Sequence, residues 1–138
     1  MFNIHYSKVD ATVPLLTLSR KDNISSERSD LSPESEFLQC STKLLSKGAS
    51  FKPHKHNHLV RVTTKTQEAW VFIKGKVLGR FYDIDDSLYL ETELGEGDCV
   101  VVFNAGHGFE VLEEGTIIYE FKTGPYFGVT PDKTFLKI

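Results

Sequence analysis

A chain of 138 residues, 40% hydrophobic and 25% charged, has the size and composition of one soluble globular domain that buries its own core. Its net charge of −3, without a clustered Lys/Arg stripe, excludes a surface built to neutralise nucleic-acid phosphates, and no apolar run nears the roughly 20 residues that span a bilayer. The opening MFNIHYSKVD lacks the basic flank and apolar centre of a secretory signal, and Cys40 and Cys99 form no paired metal or redox motif, so a reducing cytoplasm is the expected setting.

Residues 1–36 read as an N-terminal extension. A short strand opens it, VPLLTL follows as an edge strand because Pro14 has no N–H to give a ladder, and SRKDNISSERSD is a polar loop. In LSPESEF, Ser32 before Pro33, with Glu34 and Glu36 close behind, predicts one helical turn. From Phe37 the pattern becomes β. FLQCSTKLL, FKPHKH, LVRVTTKTQ, EAWVFI, KVLGRFYDI, SLYLETEL, CVVVF, HGFEVL and TIIYEF are short β-favouring runs divided by KG, DIDDS, GEGD, NAG and EEG. Such spacing predicts an antiparallel sandwich or barrel over 37–122, with little helix and a jelly-roll-like closure that hides the sheet edges. The tail, 123–138, is expected to cross the surface and dock Tyr126, Phe127 and Phe135.

The densest chemistry lies in GASFKPHKHNHLVRVTTKTQEAWVFIKG, residues 48–75. His54 and His56 are two apart in a run expected to be extended, so their imidazoles share a face. Glu68 opens the next strong strand and shares a face with Trp70 and Phe72. Imidazoles with a carboxylate suit a divalent first-row metal such as Fe, Mn, Ni or Zn, leaving coordination positions open. The plainer alternatives are solvent-facing histidines on an edge strand and a register that turns Glu68 outward. His58 continues the parity but reads as a loop residue, and His5 as surface.

Gly48, five residues, His54-x-His56, then Glu68, six residues, Gly75, resembles the first motif of the cupin superfamily, with eleven residues rather than three or four between His56 and Glu68. Gly97-Asp98-CVVVF-Asn104-Ala105-Gly106-His107 resembles the second, without its proline and with a tighter turn. LSPESEFLQCSTKLLSKGASFKPHKH, TQEAWVFIKGKV, GDCVVVFNAGH and YEFKTGPY are similar to small WbuC-type cupins of bacterial surface-polysaccharide gene clusters, over about residues 31 to 133. This resemblance implies an all-β, double-stranded β-helix (jelly-roll, cupin barrel), a metal held by His54, His56, Glu68 and His107, and a homodimer. His107 as a structural turn residue is the alternative.

Trp70, Arg61 and Arg80 are candidate ligand-binding side chains, the arginines for an anionic sugar derivative, although a core role for Trp70 and a surface role for both arginines compete. Cys40 and Cys99 read as small buried hydrophobes. No nucleophile triad, phosphate loop or dinucleotide fingerprint is present. Two functions follow: a metal-dependent enzyme acting on a small polar molecule, or a non-catalytic module that binds a sugar or nucleotide-sugar with a structural metal or none.

Overall fold

In the computed structural model, which describes residues 4–138, the β-favouring runs from Glu68 to Lys122 become antiparallel strands. The strands are β1 (Ile4–Tyr6), β2 (Pro14–Ser19), β3 (Ser29–Asp30), β4 (Ser41–Thr42), β5 (Glu68–Lys74), β6 (Lys76–Tyr82), β7 (Leu88–Gly95), β8 (Cys99–Val102), β9 (Gly106–Val111) and β10 (Ile117–Lys122). A 3-10 turn at Lys21–Asn23 and a short helix, α1 (Val129–Asp132), complete the elements. The protein is therefore all-β, as its sequence pattern predicts. A five-stranded sheet runs β1-β2-β8-β5-β10, a three-stranded sheet runs β7-β6-β9, and β3 pairs with β4.

Alternation decides which face each residue takes. Leu16 and Leu18 pair with Val102 and Val100, which in turn face Glu68 and Trp70 across β5, so these side chains share the inner face. Against them pack Val77 and Phe81 of β6 and Leu94 of β7, closing the main core around Trp70 and Phe72. The opposite face of the large sheet carries Ala69, Val71, Cys99 and Val101, and it is covered by a strap whose Leu31, Leu38 and Cys40 pack onto it. Gln67 fastens that strap: its Oε1 accepts the Leu38 N–H at 2.9 Å and its amide donates to the Glu36 carboxylate.

Two turns rest on glycine. Gly75, between β5 and β6, has φ +79°, and a Cβ there would lie 2.3 Å from Thr116 Oγ1 and 2.9 Å from the Thr116 backbone. Gly75→Ala should thus combine left-handed strain with a backbone clash and cost about 2–4 kcal/mol. A urea midpoint unchanged from wild type would show that the turn absorbs the methyl. Gly97, φ +82°, opens the β7–β8 turn, where Asp98 accepts Gly95 N–H at 3.0 Å and Arg20 Nη1–H at 2.7 Å. The Gly-Asp pair thus has a structural role here: it closes the turn and pins Arg20.

Several expectations are corrected. Ser32 starts no helix; its hydroxyl donates to Leu38 O and accepts from Cys40 N, so it braces a turn in the strap. FLQCSTKLL yields only the two residues of β4, and FKPHKH and LVRVTTKTQ yield no strand: residues 43–67 are irregular, and 50–66 are exposed. β propensity is realised through ladder partners and same-face packing, and neither run has them in this arrangement. In the tail, Phe127 and Phe135 are 78% and 80% exposed rather than docked. Leu136 approaches β9 instead, its Cδ1 2.9 Å from where a Cβ on Gly106 would stand. Among the described residues the two large sheets do not join into a barrel. β10 pairs only with β5 and β9 only with β6, which leaves one edge of each strand without a ladder.

Candidate functional site

Glu68 and Trp70 project inward from β5, and His107 and Phe109 project inward from β9 on the facing sheet, by the same alternation that builds the core. Between them lies a cavity of about 380 Å³, floored by Glu68 and Trp70, walled by Gly106 to Phe109 and by Glu120, and roofed by residues 132–136 of the tail. Thr66 Oγ1 donates to Asp132 Oδ1 at 2.8 Å, which ties the tail to the start of β5. The Trp70 ring meets His107 and Phe109 edge-on, at centroid separations of 5.3 and 5.1 Å.

Glu68 is only 5% exposed. A buried carboxylate needs partners, and it has two. Trp70 Nε1–H donates to Glu68 Oε1 at 2.6 Å, and His107 Nε2 lies 3.6 Å from the same oxygen. The other ring nitrogen is committed: Nδ1 sits 3.1 Å from Ala105 O, an acceptor that requires a proton on Nδ1. Nε2 is left facing the carboxylate, either protonated as half of an ion pair or bare as a metal ligand. Burial by itself would raise the Glu68 pKa, but the His107 and Trp70 contacts outweigh it and hold the group at about 2. Burial would lower His107, and here too it loses, to the Glu68 partner and the Ala105 carbonyl, so the imidazole titrates above its ordinary value.

The four expected metal residues therefore fall into two pairs. Glu68 and His107 are together in the cavity. His54 and His56 are exposed on the irregular segment, with ring centroids 5.3 Å apart and His54 Nδ1 3.0 Å from Lys52 O. Among the described residues no group of three or more His, Cys, Asp or Glu side chains is gathered for a metal ion.

Of the candidate ligand-binding residues, Trp70 lines the cavity, Arg61 is exposed on 43–67, and Arg80 points to the other face of β6. There Arg80 pairs with Glu91 at 2.6 Å and Glu110 at 3.3 Å. Comparison with protein-family models, curated proteins and solved structures found no match. Among the described residues no helix is long and apolar enough to cross a membrane.

Sequence reasoning did not bring Phe109, Glu120 or the tail to the site. Phe109 was reachable, since it shares strand parity with His107, a residue the resemblance turned inward; Glu120 shares parity with Ile118, whose packing on the core only the structure shows. The tail had no such signal, because a segment without periodicity does not say where it docks.

Proposed function

We propose that this protein is a metal-binding protein of cupin type whose cavity between β5 and β9 takes a small polar molecule such as a sugar derivative. The observation that carries the reading is the commitment of His107 Nδ1 to the Ala105 carbonyl, with Nε2 turned toward the buried Glu68 carboxylate. Metal-bound histidines are typically held this way, by a hydrogen bond from the far nitrogen that fixes tautomer and ring orientation. Glu68 and His107 would be the resident ligands, and His54 with His56 would join them from the segment that directly precedes β5.

That segment has reason to move inward. It exposes Leu59, Val60 and Val62 at 67%, 93% and 78%. The open edges of β9 and β10, meanwhile, present backbone donors and acceptors with no ladder partner. Because Thr123 N–H donates to Gln67 O, the alternation leaves the backbone groups of Ile118, Glu120 and Lys122 facing outward from β10. An extended run of 50–64 laid on these edges would bury its apolar side chains, complete the double-stranded β-helix and carry the His54-x-His56 pair toward the cavity. A bound divalent ion would supply Lewis acidity with open positions for a ligand oxygen. The chain would contribute the aromatic wall of Trp70 and Phe109, the exclusion of water by the tail, and the charge of Glu68.

Metal analysis tests this directly. Protein dialysed against a mixture of Fe, Mn, Ni and Zn salts and then desalted should retain one equivalent of a divalent ion, and the His54→Ala/His56→Ala variant should lose it while keeping the wild-type circular dichroism spectrum. Retention by the double variant removes the two histidines from the site. A metal-free wild type removes the reading and leaves the non-catalytic binding module.

A further inference from the structure

The two cysteines of the chain are 59 positions apart, yet they meet. Cys99, at the start of β8, is 8% exposed on the strap-covered face of the large sheet, and Cys40, on the strap, packs into the same cluster with Leu31, Ala69 and Val101. The two side chains thus share one buried cluster, with Cys99 inside it and Cys40 packed against it. The surroundings are more polar than a plain core requires. Ser19 lies directly across from Cys99 in the β2–β8 ladder and its hydroxyl is fully buried without a partner. Thr42, two residues beyond Cys40, also has a buried, unpartnered hydroxyl. Buried hydroxyls left unbonded in a packed face are uncommon, and the ladder sets the Ser19 side chain about 5 Å from that of Cys99.

We propose that Cys40 and Cys99 are a peroxide-sensitive thiol pair that oxidises to an intramolecular disulfide, locking the strap of residues 31–42 onto β8. The partly exposed Cys40 reacts first. Its thiolate attacks one oxygen of hydrogen peroxide, the O–O bond breaks, and the leaving hydroxide takes a proton to become water, which leaves Cys40 as the sulfenic acid. The Cys99 sulfur then attacks the Cys40 sulfur, the S–O bond breaks, and the departing hydroxide takes the Cys99 proton as a second water. Two thiols and one peroxide thus give one disulfide and two waters. Accessibility favours this order, since Cys40 is partly exposed and Cys99 buried, and the thiol chemistry agrees: the neighbouring Cys99 lowers Cys40 to about 7 against the opposing effect of burial, while Cys40 and burial together push Cys99 up. The more acidic thiol is the one peroxide attacks.

The experiment uses the reduced full-length chain, pre-treated with chelator. After equimolar hydrogen peroxide and quenching with iodoacetamide, the intact mass should fall by about 2 Da, with neither cysteine alkylated. A peptide map should join the Cys40 and Cys99 peptides, and dithiothreitol should restore two alkylatable thiols. Cys99→Ser should accumulate a Cys40 sulfenic acid that dimedone traps, and Cys40→Ser should consume peroxide at least about tenfold more slowly. The proposal is overturned if both wild-type thiols stay alkylatable, if the disulfide joins two chains, or if Cys40 passes to the sulfinic acid with Cys99 still free. The wild-type map decides even where a variant fails to fold.

Discussion

Glu68→Ala is expected to lower the unfolding free energy of the chelator-treated protein by about 3 kcal/mol, and to do so most strongly in mildly acidic solution. The substitution leaves the buried Trp70 Nε1–H without its acceptor and the partly exposed His107 ring without its carboxylate partner. Glu68→Gln keeps an oxygen for Trp70 and should cost about half as much.

The pH dependence follows from both partners. Glu68 is held at about 2, below its ordinary 4.5, so its contribution is fully present above 4.5 and is lost as pH falls toward 2. His107 is raised above its ordinary 6.5, so its contribution is complete below 6.5 and is lost as pH rises through the raised value. The difference between wild type and Glu68→Ala should therefore peak between 4.5 and 6.5 and shrink on either side. Urea melts of both proteins across this range would measure it. A difference that does not vary with pH would mean that the two groups do not interact as charges.

Trp70→Ala should be still more damaging, at about 4 kcal/mol, because it empties a large volume from the core and removes the hydrogen bond to Glu68 together. Trp70 is 2% exposed and contacts Phe81 as well as His107 and Phe109, so one side chain joins core to cavity. Trp70→Phe separates the two contributions. It retains most of the packing and should cost about 1–2 kcal/mol, chiefly by leaving Glu68 one donor short. If Trp70→Phe proves as damaging as Trp70→Ala, the indole–carboxylate bond outweighs the packing. In either variant the metal binding proposed for the cavity should weaken, since Glu68 loses the contact that orients it.

How far the fold could be read depended on whether a run found a partner nearby. EAWVFI, KVLGRFYDI and SLYLETEL are joined by short turns, and their alternation gave strands and the shared face of Glu68, Trp70 and Phe72, while the direction of that face stayed open between core and solvent. His107 was reachable from its place after the Gly-Asp strand, although Asp98 proved to serve the turn itself. FKPHKH and LVRVTTKTQ carry equal β propensity and remain irregular, because propensity states what a residue tolerates in a ladder and cannot supply the neighbouring strand. Arg80 was placed among the candidate ligand contacts, yet it shares parity with Leu78 on the face away from the core, where Glu91 and Glu110 stand opposite. Alternation along KVLGRFY sets Arg80 with Leu78, opposite to Val77 and Phe81. The thiol pair had no local signal, since the strap that brings Cys40 to Cys99 is fastened by single side-chain hydrogen bonds.

The fastening at Gln67 bears on the cavity as well as the strap. Gln67 and Glu68 are adjacent, and their side chains leave opposite faces of the same sheet, one gripping the strap and the other meeting His107. The aim of the carboxylate is thus set by ladder pairing, without help from any loop. Slippage of β5 by one residue would present Gln67 and Ala69 to His107 and bury Glu68 and Trp70 beneath the strap. Anchors on both sides of the strand, Leu38 on the strap and Thr123 beyond β10, oppose that slip. An insertion or deletion of one residue between Gln67 and Trp70 would therefore invert the site while leaving the composition of the strand almost unchanged.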